Sequence, residues 1–240
     1  MTAPVPSLLS FKHPGFSRWH RLWATQRAHL DRWWCRLRRA TDGAVKRIFD
    51  IILSGAALIV IAPLWGLIAL WIKKEDRGPV LFTQTRVGKF GTTFKIYKFR
   101  SMRIDAEEEL GSLLSKNEHR QGVTFKLKED PRITRVGLWL RKFSFDELPQ
   151  FYNVLRGDMS LVGPRPPIPR EVKAYSLADR RRLLAKPGIT CLWQISGRAE
   201  IDFKRQVELD VRYIETRGFF GDLWILYKTV PAVLWGAGAY

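Results

Sequence analysis

The sequence predicts an α+β, mostly helical, membrane-associated fold with one re-entrant membrane helix and a small β-hairpin. Three observations lead there. Residues 48–72 form the one apolar segment of membrane length, with positive charge at both ends and a proline near its middle. Residues 79–100 alternate in polarity around turn glycines. Amphipathic helical spacing returns in stretches such as residues 104–116. With 240 residues, 46% hydrophobic and 27% charged, the chain is long enough for one or two domains with a buried core and is not disordered throughout.

Lys and Arg number 41 against 23 Asp and Glu, a formal charge of +18. Such an excess points to an anionic partner: nucleic acid, anionic lipid or a phosphorylated substrate. Ten Trp beside many Arg is a composition favoured at the membrane–water interface. Two cysteines, Cys35 and Cys191, build neither a disulfide framework nor a four-thiolate zinc site. His13, His20 and His29 lie in the first 30 residues and leave only His119 for the body of the chain. A Ser–His–Asp mechanism and a His-rich metal site are thereby disfavoured, and carboxylates must carry any catalysis.

Residues 1–45 form a basic, Trp/Arg-rich extension. It has no apolar core followed by a small-residue cleavage site, as a signal peptide would. Arg18, Arg21, Arg32, Arg36 and Arg39 interleave with Trp and Leu at helical spacing, which suits a helix lying on anionic lipid. A basic tail without fixed role is the other reading, and Pro4, Pro6 and Pro14 favour disorder up to residue 16.

Residues 46–75 form the membrane segment. Lys46 and Arg47 precede its apolar run, and Lys73, Lys74 and Arg77 follow it, so charge gives no orientation and both ends are expected on the cytoplasmic side. Asp50 in the first turn is costly in hydrocarbon. Pro63 removes a backbone hydrogen bond and kinks the helix. A helix that enters and leaves by one face satisfies all three features; a straight span with a tolerated proline is the alternative.

Residues 76–240 follow as the remaining domain, which carries the candidate chemistry. Val80–Thr85 and Phe94–Phe99 read as the strands of a hairpin around Gly88 and Gly91. Residues 104–116 read as an acidic amphipathic helix with a solvated face, and 117–132 as a polar loop. Asp146 and Glu147 stand at an expected helix start: Ser144 and Glu147 have capping-box spacing, Pro149 fits a first turn, and Gly157 ends the helix after Arg156. Alone, the two acids could simply cap the helix and complement its dipole. Arg141 and Lys142 precede them, however, and Arg165 sits between Pro164 and Pro166, which hold its backbone stiff. A carboxylate pair, a helix N-terminus and two fixed arginines can hold a magnesium-bound diphosphate. The run 219–228 is aromatic and amphipathic, and suits a core or an interfacial helix equally by pattern.

Seven motifs occur in order: Lys46–Asp50 (KRIFD), Phe82–Gln84 (FTQ), Phe94–Met102 (FKIYKFRSM), Asp146–Gln150 (DELPQ), Asn153–Ser160 (NVLRGDMS), Val162–Pro166 (VGPRP) and Lys186–Thr190 (KPGIT). Over residues 46–240 the chain resembles the bacterial sugar transferases, monotopic phosphoglycosyl transferases that start lipid-linked polysaccharide assembly. The resemblance implies transfer of a sugar-1-phosphate from a UDP-sugar to undecaprenyl phosphate, releasing UMP. Asp146 is then the nucleophile that forms a phosphosugar-aspartate and the ligand of Mg2+, with Glu147 supporting it. Lys98, Arg141 and Arg165 match substrate-binding positions, as phosphate clamps. The implied location is the bacterial inner (cytoplasmic) membrane, with the active site on the cytoplasmic face against anionic lipids and the C-terminal aromatic run at the interface. No nucleic-acid partner is implied, and a homo-oligomer is compatible.

Two departures stand out. The family bends its membrane helix at Ser-Pro, where this chain has Ala62-Pro63. Cys191 stands where glycine is common, and reads as a buried reduced thiol. The stretch Leu192–Arg198 resembles members that use hexoses. A membrane-anchored basic nucleic-acid-binding protein is the alternative that the charge permits; no nucleic-acid motif accompanies it, and the apolar segment has no role there.

Overall fold

The computed structural model describes residues 18–113, 127, 130–197 and 201–234, with side chains from residue 43 onward except those of 110, 112, 113 and 234. Two compact units comprise residues 1–44 and 45–240. In the first, the described backbone is helical from Arg18; the interleaved Trp and Arg side chains expected there lie outside the described residues, as do the expected loop from 117 to 126 and the end of the acidic helix.

The second unit begins within α1 (Arg18–Asp76) and continues through β1 (Leu81–Val87), β2 (Thr93–Phe99), α2 (Ala106–Leu113), α3 (Arg135–Lys142), α4 (Gln150–Arg156), β3 (Ser160–Val162), α5 (Pro169–Lys173), β4 (Gly188–Thr190), α6 (Phe203–Thr216) and α7 (Phe219–Leu234). It is mostly helical, and its strands form two small sheets, β1–β2 and β3–β4.

The expected hairpin is present. β1 and β2 pair antiparallel with Phe82 opposite Lys98, Gln84 opposite Ile96 and Arg86 opposite Phe94. Directly paired residues share a face, so these six side chains lie on one side of the ribbon, where β2 buries Ile96.

The helix expected from Ser144 to Arg156 is instead two elements. Residues Phe145–Glu147 form a 3₁₀ turn, and α4 starts only at Gln150. The cause is Pro149, which has no N–H to give the carbonyl of Phe145; Leu148 N–H donates there instead at 3.2 Å, which is a 3₁₀ bond. Ser144 sits at φ 56° and its side chain caps nothing, so the expected capping box does not form. The predicted stop does: Gly157 adopts φ 91° and its N–H bonds the carbonyls of Asn153 and Val154.

Two apolar clusters organise the unit. One gathers Ile96, Val154, Met159, Leu161, Val162, Tyr213 and Ile225, joining β2, α4, β3, α6 and α7. The other gathers Ile68 and Ile72 of α1 with Phe99, Val136 and Leu140, with Phe145 and Leu148 packed against it.

α1 touches this unit at two separated places. On its N-terminal arm, Arg47 donates to the carbonyls of Val154 and Leu155 at 2.6 and 2.8 Å, satisfying the last turn of α4. Lys46 pairs with Asp222 of α7, and Phe49 stacks edge-on against Phe219. On its C-terminal arm, Trp65 meets Phe99 and Trp71 meets Trp139, while Glu75 accepts from the N–H of Arg135 at 2.8 Å and Asp76 pairs with Arg100. Between the arms, Ile59 and Val60 are 78% and 77% exposed. Pro63 lies within the helix and is exposed. The stretch Gly43–Asp76 is long and apolar enough to cross a membrane.

α7 buries Asp222 and Ile225 but presents Phe220, Trp224, Tyr227 and Val230 outward, with Phe220 83% exposed. These positions follow helical spacing, so one whole face is apolar and uncovered. Cys191 is buried beside Trp193 and Leu209, its S–H donates to Gln194 Oε1 at 3.1 Å, and burial pushes its thiol up. That is the reduced structural thiol expected from the sequence.

Candidate active site

The site is assembled from the hairpin, the 3₁₀ turn and the loop after β3. The turn places Asp146 and Glu147 side by side. Its flanks are apolar anchors: Phe145 lies 5.2 Å from Trp139, ring to ring, and Leu148 joins Phe145 against the cluster of Ile68 and Leu140. The acids are therefore carried on a turn bound to the apolar helix itself.

Lys98 comes from β2. Its Nζ lies 2.6 Å from Glu147 Oε1 and 3.7 Å from Asp146 Oδ2, so one ammonium serves both carboxylates. The strand is held in place by Asn153 of α4. The Asn153 Oδ1 accepts from Tyr97 N–H at 3.1 Å, and its Nδ2 donates to Lys95 O at 2.7 Å. The fully buried amide thus behaves as a partner strand to β2, one residue from Lys98.

The loop Gly163–Pro167 carries Arg165. It is fixed on two sides: Gly163 N–H donates to Thr190 O, Gly188 N–H to Pro164 O, and Val87 N–H to Pro167 O. The approach to β4 is so close that a β-carbon on Gly188 would fall 2.1 Å from Gly163 N, and one on Gly163 2.4 Å from Lys186 O. Only glycine fits at either position. Arg165 itself is exposed.

Charge around the acids is divided. Burial raises Asp146 above the usual carboxylate range, opposed by Lys98 and Arg141. Burial also acts to raise Glu147, but Lys98, Arg165 and Arg86 outweigh it and hold Glu147 below its ordinary value. Of the five residues singled out from the sequence, Lys98 contacts both Asp146 and Glu147, Arg141 lies within electrostatic reach of Asp146, and Arg165 within electrostatic reach of Glu147.

The sequence reading does not name Arg86. Its position was nonetheless encoded: it lies at period two from Phe82 and Gln84, on the hairpin face of Lys98. The Arg86 Nη1 donates to Pro166 O at 3.0 Å. Asn153 was quoted within a motif without a role, and its role became visible only when α4 met β2.

Among the described residues no cluster of three or more His, Cys, Asp and Glu could hold a metal. Asp146 and Glu147 offer two carboxylates, hard oxygen donors of the kind that bind magnesium together with substrate phosphates and water rather than in an all-protein cage. The residues fit a magnesium ion that arrives with a phosphorylated substrate.

The family model described as Bacterial sugar transferase matches residues 41–236. The chain is 50% identical over 198 residues to the galactosyl transferase CpsE of Streptococcus agalactiae, covering 81% of this chain and 43% of that protein. It is 45% identical over 208 residues to the undecaprenyl-phosphate galactose phosphotransferase of Salmonella typhimurium, covering 85% and 43%. It is 41% identical over 205 residues to the exopolysaccharide production protein ExoY of Rhizobium meliloti, covering 84% and 91%. The chain thus spans less than half the length of the first two relatives and nearly all of the third. With the family model matched over nearly all of the unit 45–240 and a relative matched almost end to end, the chain belongs to the bacterial sugar transferase family.

Proposed function

We propose that this chain transfers a sugar-1-phosphate from a UDP-sugar to undecaprenyl phosphate, the first membrane step of polysaccharide synthesis, through a phosphosugar intermediate on Asp146. The observation that carries the reading is the Asp146–Glu147 pair, ringed by Lys98, Arg141 and Arg165 on a turn packed against the apolar helix. Names of relatives that specify galactose and undecaprenyl phosphate support a hexose donor and this acceptor.

An Asp146 carboxylate oxygen attacks the phosphorus that bears the sugar. The bond from that phosphorus to the bridging oxygen breaks, and its electron pair leaves with UMP. A lipid phosphate oxygen then attacks the same phosphorus and frees the Asp146 carboxylate. Splitting the transfer in this way lets two mutually repelling anions use one site in turn. Lys98, Arg141 and Arg165 neutralise the phosphoryl oxygens as charge develops. Asp146, supported by Glu147, would hold the magnesium ion, whose contribution is Lewis-acid stabilisation of phosphate charge. The apolar arms of α1 and the outward face of α7 seat the unit on the inner membrane with its site on the cytoplasmic face. Both arms of α1 returning to one unit, with Ile59 and Val60 bare between them, support the re-entrant path bent at Pro63.

The test omits the lipid. Enzyme, magnesium and UDP-sugar labelled in the β-phosphate are mixed, digested, and searched for label on the peptide containing Phe145–Glu147. Label there, with parallel initial-rate lines in the full reaction, is expected. An unlabelled peptide with intersecting lines would replace the covalent route with direct transfer.

A further inference from the structure

Arg86 is a cation set where a cation is costly. The residue is half-buried, and its Nε is fully enclosed without a hydrogen-bond partner. Burial, and after it the neighbouring Arg165, pushes its pKa down to about 10. It forms no ion pair among the described residues, and neither does Arg165; Glu147, within reach of both, is taken by Lys98. Two arginines approach each other at the end of β1 and in the proline-flanked loop, joined by the Arg86–Pro166 hydrogen bond; Glu171, Glu147 and Glu107 act on Arg86 through space, but none of them pairs with either guanidinium. Like charges are held together in this way where an anion is to enter, since a bound anion removes the repulsion and supplies the missing acceptor.

The place of the pair identifies the anion. Lys98 serves both acids; of the arginines, Arg141 acts on Asp146, and Arg165 and Arg86 act on Glu147. A donor whose sugar-bearing phosphorus faces Asp146 can carry its other phosphate toward the loop where Arg86 meets Pro166, next to Arg165. We propose that Arg86 and Arg165 form a guanidinium pair that binds the nucleotide-side phosphate of the donor, the one that departs with the nucleoside monophosphate. This rests on the transferase reading above, and makes Arg86 a further substrate-binding residue of the same site.

The experiment measures UMP and uridine binding to the full chain in detergent, without lipid acceptor, for the unmodified protein, Arg86→Gln and Arg86→Lys, alongside steady-state constants for both substrates. Arg86→Gln should weaken UMP at least tenfold, leave uridine binding unchanged, and raise the donor KM without raising the KM for undecaprenyl phosphate. Arg86→Lys keeps the charge without the planar fork and should recover part of the UMP affinity; it carries the test if Arg86→Gln fails to fold. Unchanged UMP affinity in either variant overturns the proposal, and so does an equal loss of uridine, which would mean a damaged pocket. Failure of the transferase reading looks different: the unmodified protein would then release no UMP from any UDP-sugar.

Discussion

Asp50 accepts a hydrogen bond from the backbone N–H of Leu161, 111 residues further along the chain, at 3.1 Å in a buried setting. A carboxylate that is a liability in the first turn of an apolar helix thereby ties that helix to strand β3. Ser54 Oγ, one turn on, donates to the Asp50 carbonyl and closes the junction.

Asp50→Ala leaves the Leu161 N–H buried without a partner. A loss of about 1–3 kcal/mol of stability is expected, read as a lower midpoint of thermal unfolding in detergent. Asp50→Asn keeps an acceptor oxygen and should recover most of it. An Ala variant as stable as the parent would show that the bond contributes nothing.

Asn153→Leu keeps approximate volume but removes both bonds to β2. Lys98 then loses its fixed position against the two acids. Turnover should fall by at least tenfold, about 1.4 kcal/mol of barrier, with the smaller part of the effect in the donor KM. A variant that loses stability but keeps kcat would reduce Asn153 to a structural bond.

Asp146→Asn is isosteric but gives neither a nucleophile nor an anionic magnesium ligand. UMP release should vanish while the protein still partitions with membranes. Retention of more than about a tenth of the rate, ~1.4 kcal/mol, would exclude Asp146 as the nucleophile.

Arg165→Lys keeps the charge and loses the fork. The stiff loop cannot follow the shorter reach of a point charge, so a 10- to 100-fold loss of rate, about 1.4–2.7 kcal/mol, is expected. A near-parental Lys variant would mean that Arg165 acts through positive potential alone.

Topology is read by cysteine labelling. Val45 and Lys74 are exposed at the two ends of the apolar stretch. In a Cys35→Ser background, Val45→Cys and Lys74→Cys should both resist an impermeant reagent in intact cells and both react in inside-out vesicles. Labelling of one end from outside would make α1 a true span.

Much of this was legible in the sequence, for physical reasons that differ between elements. The hairpin followed from period-two alternation and glycines at its turn, and the end of α4 followed from Gly157, because these are local rules. The start of α4 departs from the local rule: Pro149 suits a first turn, but its missing N–H to the Phe145 carbonyl leaves that turn 3₁₀. The β3–β4 pairing had no local signal: three-residue strands 28 residues apart, as Ser160 and Gly188 are, are set by the close approach of Gly163 and Gly188. The site acids and Lys98, Arg141 and Arg165 were named from motifs. Arg86 has no motif signal of its own, because its neighbour across the loop, Pro166, is distant in sequence.

Rooting both arms of α1 in one folded unit has a mechanical consequence for the proposed topology. A segment that crosses both leaflets must match the thickness of the hydrocarbon, and tilts or deforms the bilayer when it does not. A loop held at both roots has no far leaflet to match. Phe145 and Leu148 share a cluster with Ile68 and Ile72, so the height of the Asp146 carboxylate above the acyl chains is set by the protein's own packing and not by the lipid. The enzyme would sense its membrane as a single monolayer, and its rate should be nearly indifferent to acyl-chain length in reconstituted bilayers.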